Sequence, residues 1–331
     1  MRIMIAGGAG FVGSHLSRSL LARGHGVVCV DDLSTGSRAN IDDLLDQPGY
    51  EFVHADVSDT PVRNVDVVAH LASPASPVDY DRMPLHTLRA NSFGTHRLIE
   101  VADRVGARFC FTSTSEVYGD PLVHPQPEEY WGNVDPVGPR SCYDEGKRFG
   151  EALVVAARRE LSLRANIVRP FNTYGPGMRR DDGRVIPEMI SAAMADRPLM
   201  IHGDGQQTRS FCYVADLVEG LSHVLLDEEA DGLILNIGNP REITMLDLAR
   251  RIIKVAGGRG ELCFIEARPG DPERRRPVIR RMHERYGWSP RVQLTDGLRR
   301  TVVAFRAGEA ATAAPHPRLV DGIAAGAVGA A

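Results

Sequence analysis

The sequence contains no apolar run of roughly 18 residues, the length a membrane-spanning helix needs, so no membrane partner is expected. Its opening residues, Met1–Ala6, lead straight into glycines without the apolar core of a secretory leader, so no signal peptide is read there. Charge of one sign is also missing. Lys and Arg number 39 against 43 Asp and Glu, a net of −4. Nucleic-acid binding wants a basic surface, so no nucleic-acid partner is expected. A phosphorylated small ligand stays open, because a few placed arginines suffice to bind one. Cysteine is scarce and scattered, at Cys29, Cys110, Cys142, Cys212 and Cys263. An odd number with no C-x-x-C pair speaks against a disulfide framework and a zinc site, so no metal is expected and a reducing, cytoplasmic location is. No internal repeat is present.

What the sequence does contain is an ordinary globular balance over 331 residues, 43% hydrophobic and 25% charged. That length suits one large domain or two unequal ones. Short apolar runs at Arg2–Ala6, Val27–Val30, Glu51–His54, Asp66–His70, Arg108–Thr112 and Ala165–Arg169 read as buried strands. Helical spacing marks Phe11–Arg23, closed by Gly24, and long helices over Pro84–Val105 and Cys142–Glu160. The alternation predicts an α/β fold of Rossmann type, a doubly wound parallel sheet over residues 1–170. Beyond Pro170, glycine and proline become denser. Residues 171–306 read mainly as a smaller C-terminal substrate-binding lobe, part of it free to rejoin the sheet. Helices are expected there at Ile186–Ala195, Val214–Leu226, Met245–Ala256 and Asp296–Phe305. The Ala- and Gly-rich tail, 307–331, has little to bury and is expected to be disordered or weakly helical.

The first strand runs into Gly7-Gly-Ala-Gly10-Phe11-Val12-Gly13, which opens a helix. Gly7 suits a tight turn, Gly10 lets backbone approach a pyrophosphate, and Gly13 lets helix and strand pack closely. The helix N-terminus, with Phe11 and Val12, offers free N–H groups to phosphates. A glycine pattern alone is weak evidence, but an acid at the next strand end, Asp31, agrees with it. Asp31 would accept hydrogen bonds from the adenine ribose. Its charge, with that of Asp32, would repel a 2′-phosphate, which favours NAD over NADP; Arg38 nearby weakens that exclusion slightly. Asp56 and Val57 follow the third strand and suit the adenine edge. Leu71 and Ser73 follow the fourth and suit the nicotinamide half.

Tyr143 and Lys147 stand at i and i+4, so they meet on one helix face. An ammonium beside a phenol stabilises phenolate and lowers its pKa, which makes Tyr143 a usable general base. Such a pair is common on plain surface helices. Its place downstream of a dinucleotide turn favours chemistry. Thr112-Ser-Thr-Ser-Glu116 ends the fifth strand, where open parallel sheets bind ligands.

Here the sequence becomes specific. The run Ser113–Arg148, together with His70–Pro77, Arg169–Pro176, Asp182–Val185 and Gly203–Phe211, is very similar to UDP-glucuronate decarboxylases of the extended short-chain dehydrogenase/reductase family; the resemblance covers about residues 2–305. It implies NAD as cofactor and a UDP-sugar as substrate. It also implies a homodimer, formed by the helices at 84–105 and 142–160. Tyr143 and Lys147 would carry the redox step, with Thr114 assisting at the sugar hydroxyl. Ser115 and Glu116 would lie near C5 and C6, and Arg275 at the carboxylate. Arg275 is flanked by Arg274 and Arg276, and a run of arginines is usually a solvated face. Arg209, Asn172 and Arg184 would hold the diphosphate, and Gly203–Gly205 would turn beside the base. The implied reaction is oxidation at C4, loss of CO2, and reduction to UDP-xylose.

Three other readings remain. A nucleotide-sugar 4,6-dehydratase uses an Asp-Glu pair where Ser115-Glu116 stands. A UDP-glucuronate 4-epimerase typically lacks a Glu at that position. A non-catalytic NAD-binding scaffold would not need Tyr143 and Lys147. The sequence departs from the decarboxylase pattern at Asp32 and Asp135, where relatives often have Asn. Val278 replaces an Asp close to Arg275, and His202 stands where relatives often carry an aromatic residue.

Overall fold

The computed structural model describes residues 1–258, 260–266 and 274–313. Strands β1 (Arg2–Ala6), β2 (Gly26–Asp31), β3 (Tyr50–His54), β4 (Val67–His70), β5 (Arg108–Thr112) and β6 (Ala165–Pro170) form one parallel sheet. A seventh strand, Ile234–Ile237, comes back from the C-terminal half and pairs with β6. The spatial order is β3-β2-β1-β4-β5-β6-seventh strand. The order therefore reverses between β1 and β4, which opens a crevice at the carboxyl ends of those two strands.

Alternation along β1 sorts the core into two layers. Ile3 and Ile5 face one side, with Leu16 and Leu20 of α1 (Phe11–Ala22). Met4 and Ala6 face the other, with Leu98 and Val101 of α4 (Thr95–Val105) and Val154 of α5 (Ser141–Glu160). Both faces of the sheet are covered by helices, and for that reason its strands are apolar throughout rather than alternating with polar residues.

The expected helix over Pro84–Val105 is divided. It comprises α3 (Pro84–Arg89), a π turn at Ala90–Gly94, and α4. A short α2 (Pro77–Arg82), not anticipated, precedes it, with the Ser76 hydroxyl accepting from the Asp79 N–H at 3.2 Å. In the lobe, α6 (Val185–Met194), α7 (Val214–Leu226) and α8 (Met245–Ala256) lie where spacing predicts them. The seven-residue α9 (Arg280–Tyr286) is too short to show a period. The last helix, α10, runs Leu294–Ala313, so the helix continues into the segment read as tail. The remainder of that tail, 314–331, lies outside the described residues. A small sheet of Glu242–Thr244, Thr208–Ser210 and Arg274–Arg275 closes the lobe over the end of β5.

Candidate active site

The turn after β1 sets the first half of the site. Gly7 has φ +83°, and a Cβ there would lie 2.7 Å from the Ala72 nitrogen. At Gly13 a Cβ would lie 2.1 Å from the Gly7 carbonyl oxygen, so helix and turn touch backbone to backbone. At Gly10 a Cβ would lie 3.2 Å from the same Gly7 carbonyl oxygen, so the turn is tight there as well. The N-terminus of α1 has no side-chain cap and no acidic residue in its first turn, so its N–H groups and positive end stay available. That is the arrangement a pyrophosphate requires.

The cleft over this turn is lined by Gly7, Gly10, Asp31, Asp32, Val57, Leu71 and Ser73, seven of the residues singled out from sequence. Phe11, Val12 and Gly13 continue from it into α1. Asp31 accepts from the backbone N–H of Ala9 and of Leu33, each at 2.9 Å. Burial pushes its carboxyl above the usual range, and those N–H groups oppose the rise. Asp56 caps the turn Val57–Asp59 by accepting from the Ser58 N–H at 2.8 Å. Ser34, Thr35, Gly36 and His86 also line the cleft and were missed. His86 comes from α3 and puts Nε2 3.6 Å from Asp32 Oδ2. No local motif marks it, because only the fold carries α3 to the end of β2. Ligand-type atoms of Asp32, Asp56 and His86 lie within 4.8 Å of one another, and Asp32 and His86 line the cleft.

Tyr143 and Lys147 share the buried face of α5, beside the end of β5. The Lys147 ammonium donates to the Thr112 carbonyl at 2.9 Å and sits 6.0 Å from the Tyr143 ring centre. Burial lowers its pKa to about 7, with Glu151 opposing. Tyr143 departs from the sequence expectation. Burial pushes its phenol up to about 12, and the Thr114 hydroxyl against it opposes the rise. The expected lowering by Lys147 does not operate, because the lysine is itself desolvated and turned to the Thr112 carbonyl.

Thr114 caps the turn Ser115–Tyr118, accepting from the Glu116 N–H at 3.2 Å. Ser115 is buried there. The Glu116 carboxylate is clasped from two sides: Arg275 donates to Oε1 and Arg140 to Oε2. Burial would raise the Glu116 pKa, but the two guanidinium groups outweigh it and hold the carboxyl below its usual range. Arg275 is buried, although it lies in a run of three arginines. Its backbone pairs beside Arg209, and Gln126 pins the next residues. Gln126 N–H donates to the Arg276 carbonyl at 2.9 Å, and its side-chain oxygen accepts from the Arg276 N–H at 2.8 Å. The Val278 N–H donates to the Gln126 carbonyl at 2.9 Å. Backbone bonds on the Gln126 side therefore aim Arg275, and Val278 takes part through its backbone N–H.

Arg209 is buried close enough to lower the Glu116 pKa, and Arg184 close enough to act on Tyr143. Arg184 is paired with Asp182. The Asn172 carbonyl accepts from the Cys212 N–H at 2.8 Å, which ties it to the lobe. Beneath the site runs a network that sequence reading missed. Glu151 accepts from Ser113 at 2.6 Å and from both arms of Arg169 at 2.8 and 2.6 Å. Arg169 reaches the Tyr118 hydroxyl at 2.9 Å, which donates to Asn236 at 2.8 Å. It locks β5, α5, β6 and the seventh strand together.

A dinucleotide crevice with a Tyr-x-x-x-Lys helix over it defines the extended short-chain dehydrogenase/reductase class of enzyme. Within that class the chain belongs to the NAD dependent epimerase/dehydratase family, whose model matches residues 3–238. UDP-glucuronic acid decarboxylase 1 of Arabidopsis thaliana is 46% identical over 306 residues, 92% of this chain and 70% of that protein. UDP-glucuronic acid decarboxylase 3 of the same plant is 47% identical over 299 residues, 90% and 87% of the two chains. Among solved structures, UDP-glucuronic acid 4-epimerase from Bacillus cereus, in complex with UDP-glucuronic acid and NAD, superposes with a TM-score of 0.84 at 29% identity, covering 93% of this chain and 99% of that one. A dTDP-glucose 4,6-dehydratase from Streptomyces venezuelae, with NAD bound, gives 0.85 at 28%, covering 94% and 98%.

Proposed function

We propose that this chain is a UDP-glucuronate decarboxylase, converting UDP-glucuronate to UDP-xylose and CO2 with NAD regenerated in each turnover. The observation that carries this reading is Glu116 clasped by Arg275 and Arg140 beside Tyr143. A 4-epimerase has no use for a carboxylate there, and a 4,6-dehydratase wants a second acid where Ser115 stands. The Gly7–Gly13 turn would hold NAD, with Asp31 at its ribose, and the bound cofactor would supply reversible hydride transfer at C4 of the sugar.

The protein's own groups do the rest. Tyr143 takes the C4 hydroxyl proton, with Thr114 sharing the hydrogen bond, and Lys147 would support the phenolate once its ammonium turns from the Thr112 carbonyl to the phenol. Once C4 is a ketone, the C6 carboxylate is β to it, and the C5–C6 electron pair can move into an enolate. Hydroxyls of Thr114 and Ser115 stabilise that oxyanion. Arg275 handles the departing carboxylate. Arg209, Asn172 and Arg184 bind the UDP end, guanidinium matching phosphate.

We infer a homodimer through α3–α5, because Leu85, Leu88, Phe93 and Phe149 leave apolar side chains exposed there. Five free thiols support a reducing, cytoplasmic location. No helix among the described residues is long and apolar enough to cross a membrane.

The test is purified protein with UDP-glucuronate and NAD, followed by proton NMR and mass spectrometry. CO2 and UDP-xylose are expected. UDP-galacturonate of unchanged mass would replace this reading with an epimerase.

A further inference from the structure

Decarboxylation of a sugar acid anion has a proton requirement. The C5–C6 bond breaks, CO2 leaves, and the electron pair enters the C4–C5 enolate. That pair then returns to C5 and forms a C–H bond, so one proton is consumed for each CO2. Tyr143 does not supply it, since the proton it takes from the C4 oxygen goes back to that oxygen. Glu116 is a poor store, because Arg275 and Arg140 hold it ionised.

Asp144, next to Tyr143 on α5, has no part in the reading so far. Its side chain is buried, with the residue 6% exposed. Oδ2 lies 3.8 Å from Nε of Arg140, the same guanidinium that donates to Glu116. Oδ1 is buried and has no hydrogen-bond partner among the described residues. A second carboxyl therefore stands beside the Glu116 clasp with one oxygen unsatisfied, which is costly for a carboxylate.

We propose that Asp144 is the proton store of this site, holding the proton that decarboxylation consumes and passing it to C5 by way of the Glu116 carboxylate. Asp144 acts through Glu116 and is not placed on the substrate. It then recovers a proton from solvent, which closes the balance. Glu116 and Arg275 face it from the end of β5 and the lobe, Tyr80 from α2, and Arg140 and Glu145 from its own helix. Burial and the Glu116 charge push its carboxyl up to about 7, against Arg140 and Arg275. The store is thus charged with a proton at and below neutral pH.

This inference rests on the decarboxylase reading, so wild-type turnover of UDP-glucuronate is measured first. Asp144→Asn keeps the shape of a protonated aspartate but cannot release a proton. It is expected to lower kcat by about tenfold to hundredfold, the range for a lost proton transfer, with KM unchanged. Asp144 and Lys147 both titrate at about 7, so the wild-type kcat should fall with two ionisations as pH rises and that of the Asn variant with one. Asp144→Glu should restore both. A second readout needs no turnover. Because the ordinary pKa is 3.8 and the folded one is about 7, ionised Asp144 costs stability that grows between those pH values and stays constant above them. Thermal melts should therefore show the Asn variant gaining more over wild type at pH 8 than at pH 5. Wild-type protein that releases no CO2 overturns the decarboxylase reading and this one with it. Wild-type protein that releases CO2, with an Asn variant matching its kcat and pH profile, overturns the Asp144 role alone.

Discussion

At the scale of single residues, the site is a set of charges made expensive by burial and then balanced. Tyr143 is the clearest case. Its phenol sits at about 12 without a cofactor, too high for a base at neutral pH. The positive charge that oxidised NAD brings would pull it down. Ultraviolet titration of the tyrosinate should show one phenol whose pKa falls when NAD is added, a change absent in Tyr143→Phe. The same variant should lose about 10²- to 10⁴-fold in kcat while NAD binding, measured by calorimetry, stays intact. The Glu116 clasp gives a second prediction. Removing Arg275 leaves a buried carboxylate with one guanidinium fewer, so Arg275→Ala should cost roughly 3–5 kcal/mol of stability in urea unfolding. Adding Glu116→Ala should recover part of it, which a double-mutant cycle would measure.

At the scale of elements, precision comes from close approach. The β1 turn and α1 meet at Gly13 with no room for a methyl group. Gly13→Ala must push α1 away from the turn, and the N–H groups that would receive pyrophosphate move with it. NAD affinity should drop more than tenfold by calorimetry, with a lower melting temperature. The loss of NAD affinity should exceed that of Ala substitution at Gly24, where a Cβ meets nothing within 4 Å and the φ of +80° costs stability without touching the turn. The Glu151–Arg169–Tyr118–Asn236 network plays the corresponding part under α5, fixing the helix that carries Tyr143 and Lys147.

At the scale of the whole molecule, function and stability pull apart. Lys147 is buried, and its pKa falls from 10.5 to about 7. The unfolded chain holds that proton more tightly, so the charge costs stability in full below about pH 7 and progressively less as pH rises toward 10.5. Lys147→Met should be inactive yet melt higher than the wild type at pH 6, with the gap closing toward pH 10. The proposed dimer makes a separate prediction: Phe93→Asp with Phe149→Asp should convert a dimeric species to a monomer in light scattering.

The local signals sufficed wherever chemistry is written in adjacent residues. Apolar runs marked β1 to β6, the glycine turn with Asp31 marked the dinucleotide crevice, and the i, i+4 spacing marked Tyr143 and Lys147. Backbone periodicity and turn sterics are properties of short segments, so they survive without the fold. Three features needed the tertiary structure. The seventh strand rejoins the sheet from 234–237, across a long crossover that no local pattern announces. His86 and the Glu151 network gather residues far apart in the chain. Above all, Arg140, Asp144, Glu116 and Arg275 become one electrostatic unit only when the lobe brings Arg275 over the end of β5. Their proton affinities are set by burial and by one another, and neither exists until the chain has folded.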